Sequence, residues 1–70
     1  MAKKRVYYTL LVRDGERWGI HFGDYDRETV VYEQTDVVQS GEYRKRDTKI
    51  ITTGNRQVDI NIAVELLNNR

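Results

Sequence analysis

The stretch that decides the fold is Arg5 to Phe22, RVYYTLLVRDGERWGIHF. From Val6 to Val12 every residue is β-branched, aromatic or leucine, whereas Trp18, Ile20 and Phe22 alternate with Gly19 and His21. One strand with two apolar faces followed by one with a single apolar face reads as a β-hairpin, the first strand central and the second at an edge. The turn sets the register. A three-residue loop with Gly15 in the left-handed bulge position pairs Val12 with Glu16, and so sets Leu10 against Trp18, Tyr8 against Ile20 and Val6 against Phe22. That leaves Tyr7, Thr9, Leu11, Arg17, Gly19 and His21 on the other face. A two-residue Asp14-Gly15 turn is the alternative, slipping the register by one and setting Trp18, Ile20 and Phe22 with Leu11, Thr9 and Tyr7. Hydrophobic matching favours the first.

Beyond Phe22, Gly23-Asp24-Tyr25-Asp26 ends the alternation and offers a helix start, with Asp26 as N-cap, Glu28 in the first turn and Tyr25 placed to staple onto Val30. The segment from Arg27 to about Gln39 then carries Val30, Val31, Gln34, Val37 and Val38 on one helical face. Its β-branched run, Thr29-Val30-Val31-Tyr32, suits a strand equally well, so an extra strand is the competing reading. Gly41 is the expected helix stop. A polar connector, Glu42 to Arg46, leads to a strand at Thr48–Thr53, with Thr48, Ile50 and Thr52 facing inward and Lys49 and Ile51 outward. The last helix is expected over about Arg56 to Asn68, capped by Thr53 or Asn55, with Ile60, Ala63, Val64 and Leu67 as its inner stripe. The order is ββαβα. A right-handed crossover from the edge strand gives an α+β fold, a three-stranded antiparallel sheet of order 2-1-3, mixed in pairing direction, with two helices on one face.

Seventy residues make one domain, close to the size at which a core alone struggles to hold a chain. With no cysteine and one histidine, disulfides are excluded and a zinc site is not expected, nor is any cofactor. Self-association is the remaining aid, and a homodimer is one expectation. Charged residues balance to a net +1, which removes any global pull toward nucleic acid or anionic lipid. No apolar stretch approaches the roughly 18 residues of a membrane span, and Met1-Ala2-Lys3-Lys4-Arg5 is not followed by a secretory h-region. A complete small cytoplasmic protein without membrane contact is expected, with Lys3-Lys4-Arg5 a solvated lead-in.

The runs LLVRDGERW (Leu10 to Trp18) and FGDYDRETV (Phe22 to Val30), followed by KIITT (Lys49 to Thr53) and a short terminal helix, resemble small, functionally uncharacterised proteins encoded by tailed bacteriophages and prophages. The resemblance implies a phage accessory protein, cytoplasmic in the bacterial host, and names no activity. The proteins it resembles have Ala-rich or charged helices where this chain has valines from Val30 to Val38 and extra isoleucine and leucine in the last helix.

Four features are candidates for function. His21 is the only side chain of the usual acid-base kind, but on an exposed strand facing Tyr7 it lacks a carboxylate or nucleophile, so no enzyme is expected. Asp24, Asp26 and Glu28 have calcium-loop spacing at their start, yet Thr29 stands at the glycine position and Thr35 at the bidentate glutamate position, and helix capping accounts for them. Arg13, Arg17, Arg44, Lys45 and Arg46 are expected to gather at the hairpin tip as a candidate phosphate grip, interleaved with Asp14, Glu16, Glu42 and Asp47. The expected protein-binding surface is the uncovered sheet face, Tyr7, Leu11, His21 and Ile51, joined by Val58, Ile62 and Leu66, which recur at i, i+4, i+8 on a second side of the last helix. Those three either pack internally in a groove or contact another chain.

Overall fold

A computed structural model describes residues 6–69, so the Lys3-Lys4-Arg5 lead-in lies outside the described residues. The chain forms β1 (Tyr7–Asp14), β2 (Arg17–Asp24), α1 (Arg27–Gln39), a 3-10 turn at Lys45–Asp47, β3 (Thr48–Thr53) and α2 (Gln57–Asn68). The three strands lie in the order β2-β1-β3, with β1 antiparallel to both neighbours. The α+β class, the antiparallel three-stranded sheet, its strand order and the two helices are those expected from the sequence. No pairing is mixed, however: β2 and β3 run the same way without pairing with each other, each antiparallel to β1. No helix among the described residues is long and apolar enough to cross a membrane.

Residues 27–39 are helical despite their β-branched run. Asp26 caps the start by accepting from Glu28 N at 3.1 Å and from the Thr29 hydroxyl at 3.2 Å. At the far end Gly41 takes a φ of +83°, and its N–H and that of Tyr43 donate to Val38 and Val37 carbonyls. The Tyr25 ring packs edge-on to Tyr7 at 4.9 Å. Neither Thr53 nor Asn55 caps α2. Arg56 holds the N-cap position without a side-chain capping bond, its guanidinium donating instead to the Asp59 carboxylate. The Thr53 hydroxyl donates to Gly54 O and the Asn55 amide to the Tyr25 hydroxyl.

The hairpin register differs from both sequence readings. The turn is the two-residue Gly15-Glu16, pairing Asp14 with Arg17, Arg13 with Trp18 and Leu11 with Ile20. Gly15 sits at φ +66° and Glu16 has no positive φ, the pattern of a type II′ turn whose twist matches the strands. A bulge at His21 then shifts the pairing by one, so that Phe22 falls opposite Leu10. Trp18 and Ile20 therefore share a face with Leu11 and Arg13, while Phe22 joins Leu10. The alternation in WGIHF is divided between two faces. Gly15→Ala should cost about 1 kcal/mol, because the left-handed turn position strains any Cβ, although nothing lies within 4 Å of that Cβ. Urea denaturation measures the loss, and an unchanged midpoint would refute the turn assignment.

The helices do not share a face, which corrects the expected layering. Leu10 packs with Val30 and Val37 of α1, surrounded by Tyr8, Phe22, Val38, Tyr43 and Ile50. Its neighbour Leu11 points to the opposite side and is also 0% exposed, with Thr9 beside it equally buried. The element covering that side is α2, which lies against β2 and β3 and buries Ile60 there, outside the α1 cluster. Width explains the arrangement. Three strands at ~4.8 Å spacing span about 10 Å, room for one helix of ~10 Å diameter on each face. The result is a central strand buried from both sides.

Candidate interaction surface

With α2 on the second face, the residues expected to form an uncovered sheet surface are redistributed. Leu11 is core. Ile51, opposite Thr9, is half-buried on the α2 side. Tyr7 is half-buried too, its ring lying over Gly23 and against Tyr25. His21 leaves that face entirely, because the bulge turns it toward α1, where Nε2 lies 3.5 Å from Glu33 Oε2 and the ring meets Tyr43 edge-on. No shared surface unites these four side chains.

The second stripe of α2 stands apart. Its inner positions Ile60, Ala63, Val64 and Leu67 are buried or half-buried against the sheet, as their spacing predicts. Val58, Ile62 and Leu66 remain 51%, 52% and 67% exposed, so the groove that would have hidden them does not exist. One helical row of valine, isoleucine and leucine is left in water, flanked by Asn61 and Glu65. This is the largest run of exposed aliphatic side chains on one element among the described residues.

The basic residues do converge on one end. The 3-10 turn packs beside β1 and β3, bringing Arg44, Lys45 and Arg46 toward the hairpin tip. Arg13, however, is engaged: its Nε and Nη2 donate to Asp47 Oδ1 at 3.1 and 2.8 Å, and its guanidinium lies 5.3 Å from the Trp18 ring centroid. Arg17, Arg44, Lys45 and Arg46 are exposed, and no ion pair among the described residues involves them. Asp14, Glu16, Glu42 and Asp47 are interleaved with them and offset most of their field. Two residues outside the sequence-derived set belong here as well. Lys49 sits 6.0 Å from the Trp18 ring, and Ile20 is 48% exposed on the edge strand. Trp18 meets Lys49 because the register of β2 sets Trp18 and Ile20 on the face of Leu11, where β3 sets Lys49.

His21 also lines an open recess of about 570 Å³ with Glu33, Asp36, Val37, Gln39, Ser40 and Glu42. A histidine beside a carboxylate is half of a nucleophile-activating arrangement. The Ser40 hydroxyl, the one nucleophile-type group there, donates instead to Val37 O at 3.1 Å and serves the helix end. Asp24 and Asp26 are likewise engaged in local structure: Asp24 accepts from Asp26 N at 2.8 Å. Among the described residues no three metal-ligating side chains are grouped.

No family model matches this chain, and neither a curated protein nor a solved structure matches it.

Proposed function

We propose that this chain is a small non-enzymatic accessory protein, of the phage and prophage kind its motifs resemble, which acts by binding protein through the outer face of α2. The observation that carries the reading is the exposed row Val58, Ile62 and Leu66, left over after both sheet faces are covered. A second copy of the chain is the occupant it fits. The row is symmetric about Ile62, so two antiparallel α2 helices related by a two-fold set Ile62 against Ile62 and Val58 against Leu66, an isologous contact. A net charge of +1 offers little repulsion between copies. Such a small domain also gains from association what its own core cannot supply.

Sedimentation over a range of concentrations is the test. The wild-type chain should self-associate, and Ile62→Lys should weaken that association about tenfold or more while the chain stays folded, since Ile62 is half in solvent already. A chain that remains at monomer mass up to millimolar concentration overturns the reading. Retardation of a DNA or RNA probe at low salt, abolished by reversing Arg44, Lys45 and Arg46 to Glu, would transfer the function to the basic end.

A further inference from the structure

The sheet order leaves β2 as an edge, eight residues long, with its outer row of N–H and C=O groups facing away from β1. Which groups those are follows from the turn. In a two-residue hairpin the closing pair, here Asp14 and Arg17, exchanges both ladder bonds, so the next pair, Arg13 and Trp18, does not. The Trp18 N–H and C=O therefore point outward, as do those of Ile20. At Trp18 the outward groups are engaged by a side chain fifty residues distant. Asn68, the last residue of α2, accepts from Trp18 N through Oδ1 at 2.6 Å and donates through Nδ2 to Trp18 O at 3.1 Å.

A carboxamide offers one acceptor and one donor side by side, as a peptide group does. Asn68 thus reproduces the pair of bonds that an added antiparallel strand would make at this position. We propose that Asn68 is an edge cap: it occupies the place of a fourth strand beside β2 and holds that edge closed against β2 of a second copy of this chain.

The edge is self-complementary. In an antiparallel β2–β2 pair centred on Gly19, the outward groups of Trp18 meet those of Ile20 in the other copy, twice over. Gly19, lacking a side chain and with open space around it, sits on the two-fold. His21, the bulged residue, limits the pairing to this short segment. The carboxamide and an incoming strand need the same Trp18 groups and exclude one another. Because Asn68 ends its helix, its release needs only the last turn of α2 to fray, and terminal turns open at far smaller free energy than the fold as a whole. This inference concerns the sheet edge and does not depend on the outer face of α2.

The test uses the full chain carrying Ile62→Lys, which removes the α2 contact and so isolates the edge. Adding Asn68→Ala should raise the sedimenting mass above that of the Ile62→Lys parent at equal concentration. In dilute monomer the Trp18 amide should exchange at least about tenfold faster than in that parent. Adding Ile20→Lys to the Asn68→Ala chain should return the mass to that of a monomer, since a charge on the pairing segment opposes edge association. Should Asn68→Ala loosen α2, Asn68→Asp is the second variant. It retains an acceptor for Trp18 N–H, so that amide should stay protected, but has no donor for Trp18 O, and its sedimenting mass is expected to rise as that of Asn68→Ala does. If both variants keep the parent's mass at every concentration and the Trp18 amide of the Asn68→Ala chain exchanges at the parent's rate, the cap does not exist. If the mass rises but Ile20→Lys leaves it raised, association runs through another surface, and the proposal fails.

Discussion

Leu11→Lys will abolish the fold of the isolated chain. Leu11 lies in the central strand and is 0% exposed, with β2 and β3 on either side and α2 above. Removing the leucine side chain alone costs about 3 kcal/mol in transfer and cavity terms. The lysine ammonium must then be desolvated in a layer where no carboxylate is paired with it, or the α2 layer must open to let it reach water. A domain of this size has roughly 4–10 kcal/mol of stability in all, so the combined cost exceeds or exhausts it. Circular dichroism across a urea gradient decides the matter. Leu11→Lys should show no cooperative transition, while Ile62→Lys keeps one close to the wild type. A cooperative Leu11→Lys transition at the wild-type midpoint would place Leu11 on an open face and remove the case for α2 as its cover.

Gly23→Ala should cost about 2 kcal/mol, in the range of core overpacking. A Cβ at Gly23 would stand 2.6 Å from the Tyr7 hydroxyl oxygen, 2.7 Å from Cε2 and 2.9 Å from Cζ, so the ring must swing off the strand. Tyr7 is held there by its edge-on contact with Tyr25, which the movement would also lose. The cause can be isolated with a double-mutant cycle. With Tyr7→Ala already in place, the Gly23→Ala penalty should shrink to a few tenths of a kcal/mol, as for substitutions away from packed features. A penalty of the same size in both backgrounds would assign the cost to the backbone at Gly23 rather than to the ring.

What the residues alone determined was whatever depends on neighbours in sequence. Asp26 could be read as a cap, Gly41 as a helix stop and Gly15 as a left-handed turn residue, because each answers a local demand for a hydrogen bond or a positive φ. The two stripes of α2 were equally legible from helical spacing, and the central place of β1 from its two apolar faces. The tertiary structure decided the rest. Nothing within Trp18-Gly19-Ile20-His21-Phe22 announces that His21 will bulge; the extra residue lets Phe22 reach the α1 side while Trp18 and Ile20 stay with Leu11, a division made by two facing layers. The candidate surface of Tyr7, Leu11, His21 and Ile51 dissolved for the same reason, since the side of the sheet that α2 takes is set by the width α1 leaves free. Asn68 carried no signal at all. Its carboxamide matters only because the fold sets the end of α2 beside the outward-facing backbone of Trp18, and a bond between residues fifty apart is a property of packing that no local pattern encodes.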